Sequence, residues 1–214
     1  MNGRWVSAAS TAAGFALVSA AAFGLVGCSS SSGGAQSNSH PAVPTFGTAT
    51  HPTTTTPPVG TTPPKQCTAV AVEADVDKIV GKPLGGSTGQ VVGIAQANIG
   101  RTARLDCYFG IPDGQGLSAA VLTIGISTYT DAPSAQARVT STVDGARSGG
   151  ATVSTTKVDG STASVMAGQQ NQSLAMSVGT RTVLVTVNNG LLAQGANATK
   201  QLAALTQLGL AAHA

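Results

Sequence analysis

The sequence predicts an α+β fold, a mainly antiparallel sheet with helices packed on one face, carried behind an apolar N-terminal segment and a Pro/Thr-rich stretch. Three observations predict it. Periodic segments run in the order helix, strands, helix, strands, helix, which is not the strand–helix alternation of a parallel sheet. The strand runs are separated by short turn sequences such as Pro112-Asp113-Gly114-Gln115-Gly116 and Val158-Asp159-Gly160, as hairpins require. The last strand alternates Val183, Val185 and Val187 with Thr182, Leu184 and Thr186, the period of a half-buried strand.

The chain starts Met1-Asn2-Gly3-Arg4-Trp5, with one positive charge, and continues with apolar and small residues over 12–27, among them Phe15, Leu17, Val18, Phe23, Leu25 and Val26. A charged start, a short apolar core and a small-residue end read as an export signal peptide over residues 1–27. Leu25-Val26-Gly27-Cys28 matches the bacterial lipobox: an apolar residue three before the cysteine and a small one directly before it. The motif predicts cleavage after Gly27 and diacylglycerol on the Cys28 thiol, with acyl chains of the palmitate type. Two chains anchor stably where one is marginal. The competing reading is an uncleaved membrane helix, since residues 5–27 carry no charge and are long enough to span. Against it, the sequence after Cys28 lacks the Lys/Arg cluster of a stop-transfer segment.

Residues 28–66 are expected to be a disordered tether. Ser29-Ser30-Ser31-Ser32-Gly33-Gly34 is followed by runs such as Thr53-Thr54-Thr55-Thr56-Pro57-Pro58, with too little apolar surface to offset the entropy of ordering. Its reach is roughly 35 Å as a coil and about 100 Å as extended polyproline II. Thr/Pro composition also fits either O-glycosylation or a bare spacer.

The folded domain is expected over residues 67–214. Val72, Val76, Ile79 and Val80 at helical spacing predict a helix over 68–80, ended by Gly81 and Pro83. A Gly-rich loop, Gly85-Gly86-Ser87-Thr88-Gly89, leads to strands at 91–97 and 103–110, then a strand at 117–128 with Leu122, Ile124 and Ile126 on one face. Asp131 is the expected N-cap of a helix to about Arg147, with Pro133 in its first turn and a thin stripe of Ala132, Ala135, Val139 and Val143. Strands follow at 151–158, 162–168, 172–179 and 181–188. A closing helix over 195–212 buries Ala198, Leu202, Leu205 and Leu208.

Composition narrows the function. Of 214 residues, 9% are charged and 3% aromatic, so the core must come from Val, Ile, Leu and Ala. From Cys67 onward nine Lys/Arg face eight Asp/Glu, so the domain is nearly neutral despite a pI near 9.0. With no basic cluster and no aromatics interleaved with cations, a nucleic-acid surface is not expected.

Three cysteines divide into one for lipid and two for a disulfide, Cys67–Cys107, in an exported protein. The alternative, a metal or redox pair, lacks further soft ligands and a CxxC spacing. His40 and His51 fall in the tether and His213 at the penultimate position, so histidine-based catalysis and histidine metal sites are not expected in the core. Glu73 and Asp77 can share a helix face, read as a solvated acidic face rather than an acid/base pair. Asp113, Asp144 and Asp159 each precede Gly, a turn signature, and Asp106 has no assigned role. The glycine loop has no Gly-Lys-Ser/Thr ending and so is no phosphate loop. No catalytic, cofactor-binding or metal-ligating residue is assigned, and no cofactor is expected.

The signal, lipobox and Thr/Pro tether resemble a family of small actinobacterial cell-envelope lipoproteins, itself similar to the extracellular sensor domains of certain actinobacterial receptor kinases. The domain adds Cys67-Thr68-Ala69-Val70, Ile79-Val80-Gly81-Lys82, Asp106-Cys107-Tyr108-Phe109, Asp131-Ala132-Pro133-Ser134-Ala135 and Val158-Asp159-Gly160 to the resemblance. The sensor-type domains carry a second disulfide, for which this chain has no cysteines. The resemblance implies helices on an antiparallel sheet and an envelope location, and no catalytic residues. The expected function is a non-enzymatic, membrane-anchored module on the extracytoplasmic face, binding a hydrophobic small molecule, lipid or envelope component. The alternatives are a structural, assembly or sensor-like lipoprotein working through a protein partner, and an esterase-like envelope enzyme.

Overall fold

The computed structural model describes residues 62–212. The signal segment, the cleavage site after Gly27, Cys28, most of the tether, His40, His51 and His213 lie outside the described residues.

The described chain folds as α+β, with the antiparallel sheet expected. Seven strands, β1 (Ser87–Gly93), β2 (Arg101–Ile111), β3 (Leu122–Tyr129), β4 (Thr152–Val158), β5 (Ser161–Ala167), β6 (Asn171–Val178) and β7 (Arg181–Asn188), form one sheet in the order β1-β2-β3-β7-β6-β5-β4. Every neighbouring pair is antiparallel. Helices α1 (Glu73–Val80), α2 (Ala132–Ser148) and α3 (Ala196–Ala211) complete the architecture.

Local chemistry explains most boundaries. Asp131 caps α2 as expected, its Oδ1 accepting the Ser134 N–H at 2.7 Å. Asp159 and Gly160 both have positive φ, 48° and 76°, the turn that matches strand twist in a two-residue hairpin between β4 and β5. Gly81 ends α1 in the left-handed conformation. The first helix is shorter than its periodicity suggests, because Val72 is extended and residues 67–69 form a separate 3-10 turn. The first strand begins earlier than expected: only Gly85 and Gly86 turn, and Ser87 and Gly89 already pair with β2 across a register shift at Thr88. Asp144 also departs from the turn reading. It lies inside α2 and pairs with Arg147 at 2.8 Å, an exposed i,i+3 contact of little energetic weight.

The helices divide between the two sheet faces, where one face was expected to hold them. Leu105, Cys107, Phe109, Leu122, Ile124, Ile126, Val183, Val185 and Val187 share the main core with Val76 and Val80 of α1 and Leu202 and Leu205 of α3. Helix α3 approaches this face closely through Gly209, where a Cβ would meet Val183 at 2.8 Å. Helix α2 packs Val139 and Val143 on the opposite face, against Met166, Ala175 and the half-buried Leu184. The physical reason is that β5, β6 and β7 are apolar at both parities near their middles. Leu184, sitting between Thr182 and Thr186, is the visible sign of a second apolar strip.

Two devices close the fold. Cys67 and Cys107 form the expected disulfide, with Cα atoms 5.4 Å apart and a sequence separation of 40, tying the first turn to β2. Arg181, buried at the start of β7, donates through Nη1 to the carbonyls of Ala212 (2.6 Å) and Leu210 (3.3 Å), and through Nη2 to that of Thr62 (3.3 Å). Burial pulls its pKa below the ordinary arginine value. This one side chain holds the segment before Cys67 against the end of α3, and Pro63 and Pro64 are buried with it. The folded part therefore takes in a few residues that the tether was expected to include.

Candidate binding cleft beside helix α2

Helix α2 covers only part of its sheet face, because its apolar residues are small and its stripe is narrow. Where it stops, β2 and β3 present polar side chains in place of a core. Asp106, Gly125 and Ser127 come to this face by the two-residue period of their strands, since Leu105, Cys107, Ile124 and Ile126 take the other.

These residues line a small cleft with Arg101, Arg104, Tyr129, Thr182 and Leu184 from the sheet and Arg138, Val139 and Thr142 from α2. Its volume is about 50 Å³, room for a few water molecules or a carboxylate-sized group. The Asp106 carboxylate is 5% exposed as a residue and pairs through Oδ2 with Arg104 Nε at 2.7 Å. Gly125 makes space for it: a Cβ there would lie 2.8 Å from Oδ1. Asp106, without a role in the sequence, is therefore the buried acidic partner of an arginine.

Arg101 has no such partner. It is 7% exposed, its Nη2 makes a long 3.4 Å hydrogen bond to the Ile94 carbonyl, and its Nε is buried with no hydrogen-bond partner among the described residues. No ion pair engages Arg101 or Arg138 among the described residues. One carboxylate therefore faces three guanidinium groups, and the cleft carries an excess of positive charge.

Arg138 also lines a second, open groove of about 600 Å³ with Ala97, Ile99, Gly100, Thr130, Ser134 and Ala137. The turn before β2 forms its outer wall. Gly100 lets that turn sit against the start of α2, where a Cβ would come within 2.9 Å of the Thr130 and Ser134 hydroxyls. Ile99, 37% exposed, leaves apolar surface in its wall.

The remaining sequence candidates do not converge. Asp77 Oδ1 accepts the Leu84 N–H at 2.9 Å, bracing the turn after α1. Asp113 is exposed in its turn. Among the described residues no group of three or more His, Cys, Asp or Glu could hold a metal ion, and no helix is long and apolar enough to cross a membrane. Ser127 and Asp106 line the same cleft, but no hydrogen bond joins them and Asp106 is engaged by Arg104.

The geometry thus defines a small α+β domain with one apolar sheet face sealed by two helices and one cationic cleft beside a third. No family model matches the chain, and none of the curated proteins matches it. Among solved structures it is similar to the extracellular domain of PknH from Mycobacterium tuberculosis, at 14% identity and a TM-score of 0.38, over 69% of this chain and 96% of that one.

Proposed function

We propose that this protein is exported, lipid-anchored at Cys28, and works as a non-enzymatic binding module held away from the membrane by its tether. The observation that carries the binding role is the cleft beside α2, where a buried arginine keeps an Nε without a hydrogen-bond partner among the described residues, next to an open groove. The lipobox Leu25-Val26-Gly27-Cys28 supports the anchor, and a disulfide between the other two cysteines suits an oxidising, extracytoplasmic setting. An esterase-like role finds less support, because a serine nucleophile needs an activating base and Ser127 has none bonded to it.

A second reading, action through a protein partner, is favoured by one feature. Strand β1 is an edge strand with Val91 and Val92 exposed, an unpaired rim of the kind partner strands extend.

Mass spectrometry of the native protein extracted from membranes tests both parts. The expected result is a chain beginning at a lipid-modified Cys28, carrying a co-purified small molecule that native-state spectra detect. Loss of the lipid label and of membrane retention is expected for Cys28→Ala. Unchanged retention with an intact N-terminus would show a membrane helix instead, and a ligand-free protein that crosslinks to an envelope protein would favour the second reading.

A further inference from the structure

Resting on the binding-module reading, we infer that the cleft takes the anionic head of a small amphiphile, with its apolar tail laid along the adjoining groove. The head-group chemistry is that of a carboxylate or phosphate monoanion.

Burying a guanidinium costs heavily unless its charge and its N–H groups are matched. Asp106 matches Arg104, at 2.7 Å. Arg101 keeps a buried Nε with no partner among the described residues, and Arg138 stands across the same cleft from α2. An anion between them would accept from both, and guanidinium groups suit planar, two-oxygen acceptors. Thr182 adds a hydroxyl to the lining, while that of Thr142 already donates to the Arg138 carbonyl at 2.9 Å.

Size and polarity give the rest of the ligand. The cleft, at about 50 Å³, admits a head group and little more. The groove that shares Arg138 offers about 600 Å³, within the usual range of ligand pockets, and its wall includes Ala97, Ile99 and Ala137. An anion alone would leave that wall wet. A neutral apolar ligand would leave Arg101 unmatched. An anionic amphiphile satisfies both.

Isothermal titration of the full chain in zwitterionic-lipid nanodiscs, with empty nanodiscs subtracted, tests this using octanoate, octanol and acetate as probes. Saturable octanoate binding is expected, weakened tenfold or more in Arg101→Met and in Arg138→Met. Arg147→Met, which removes a charge from α2 outside the cleft, is expected to leave it unchanged. Octanol binding as tightly as octanoate would overturn the anionic head while leaving a binding module in place. Acetate binding as tightly as octanoate would overturn the tail. No saturable binding by any probe would overturn the inference, whereas the module reading falls only if the native protein also carries no ligand. Loss of octanoate binding in Arg147→Met to the same extent as in Arg101→Met would show a general charge effect and overturn the site.

Discussion

The two faces of the sheet are built on opposite terms. One is apolar from β2 through β7, sealed by α1 and α3, and crossed at its edge by the disulfide. The other is apolar only under Val139 and Val143 and turns polar toward β2, where Arg101 and Asp106 are buried and Arg104 is partly exposed. A domain with few large side chains cannot spare burial, so the polar strip is a net cost to folding. The binding role proposed above would account for a cost confined to one cleft.

The comparison predicts large losses on the sealed face. Replacing Cys67 and Cys107 together by serine is expected to lower stability by about 4 kcal/mol in the chain-entropy model, read from urea unfolding. An unchanged midpoint would mean the disulfide adds nothing to the apolar face. Leu202→Ala removes a fully buried α3 side chain from the same core and should cost roughly 3 kcal/mol. A loss under about 1 kcal/mol would show that α3 can collapse into the space, and that the face is less tightly packed than its burial implies.

The polar face should answer differently. Arg101→Met removes a buried charge with an unmatched Nε and keeps most of the side-chain volume. Stability should stay level or rise by about 1 kcal/mol, even though octanoate binding weakens. A fall of 2 kcal/mol or more in the thermal or urea midpoint would make Arg101 a structural residue and erase the contrast. The smallest expected effect is at the start of α2. The backbone N–H of Ser134, then the Ser134 and Thr130 side chains, hold the Asp131 carboxyl below the ordinary aspartate range. With the folded-state value depressed, this contribution is present above the unfolded-state value and lost as pH falls through the folded one. The stability advantage of the wild type over Asp131→Asn should therefore be constant near neutrality and close in acid. A gap that persists at low pH would assign the effect to something other than the charged cap.

Much of the fold was legible because its signals are local. The Asp131 cap with Pro133, the Asp159-Gly160 turn and the Val183, Val185, Val187 alternation each act within a few residues. The cysteine pair could be read by elimination once the third cysteine, Cys28, is set aside for the proposed lipid. The cleft was not legible. Arg101 and Arg104 sit beside Asp106 in an otherwise apolar strand, and that cluster was the available hint. Arg138 lies on a helix that was expected on the same sheet face as the others and packs on the opposite one. The Arg181 clamp was hidden for the same reason, since its acceptors are backbone carbonyls at both ends of the folded part.

The amino-acid pattern alone was enough for the element types, their order and the antiparallel class, because propensity, capping and side-chain period are short-range effects. Folding in three dimensions settled which face α2 covers, where its cover ends, and which charges are left there. Those outcomes depend on strand register and on how far a thin stripe of Ala and Val can reach across a sheet. Arg101 acquires its meaning only when β2, β3 and α2 close around it.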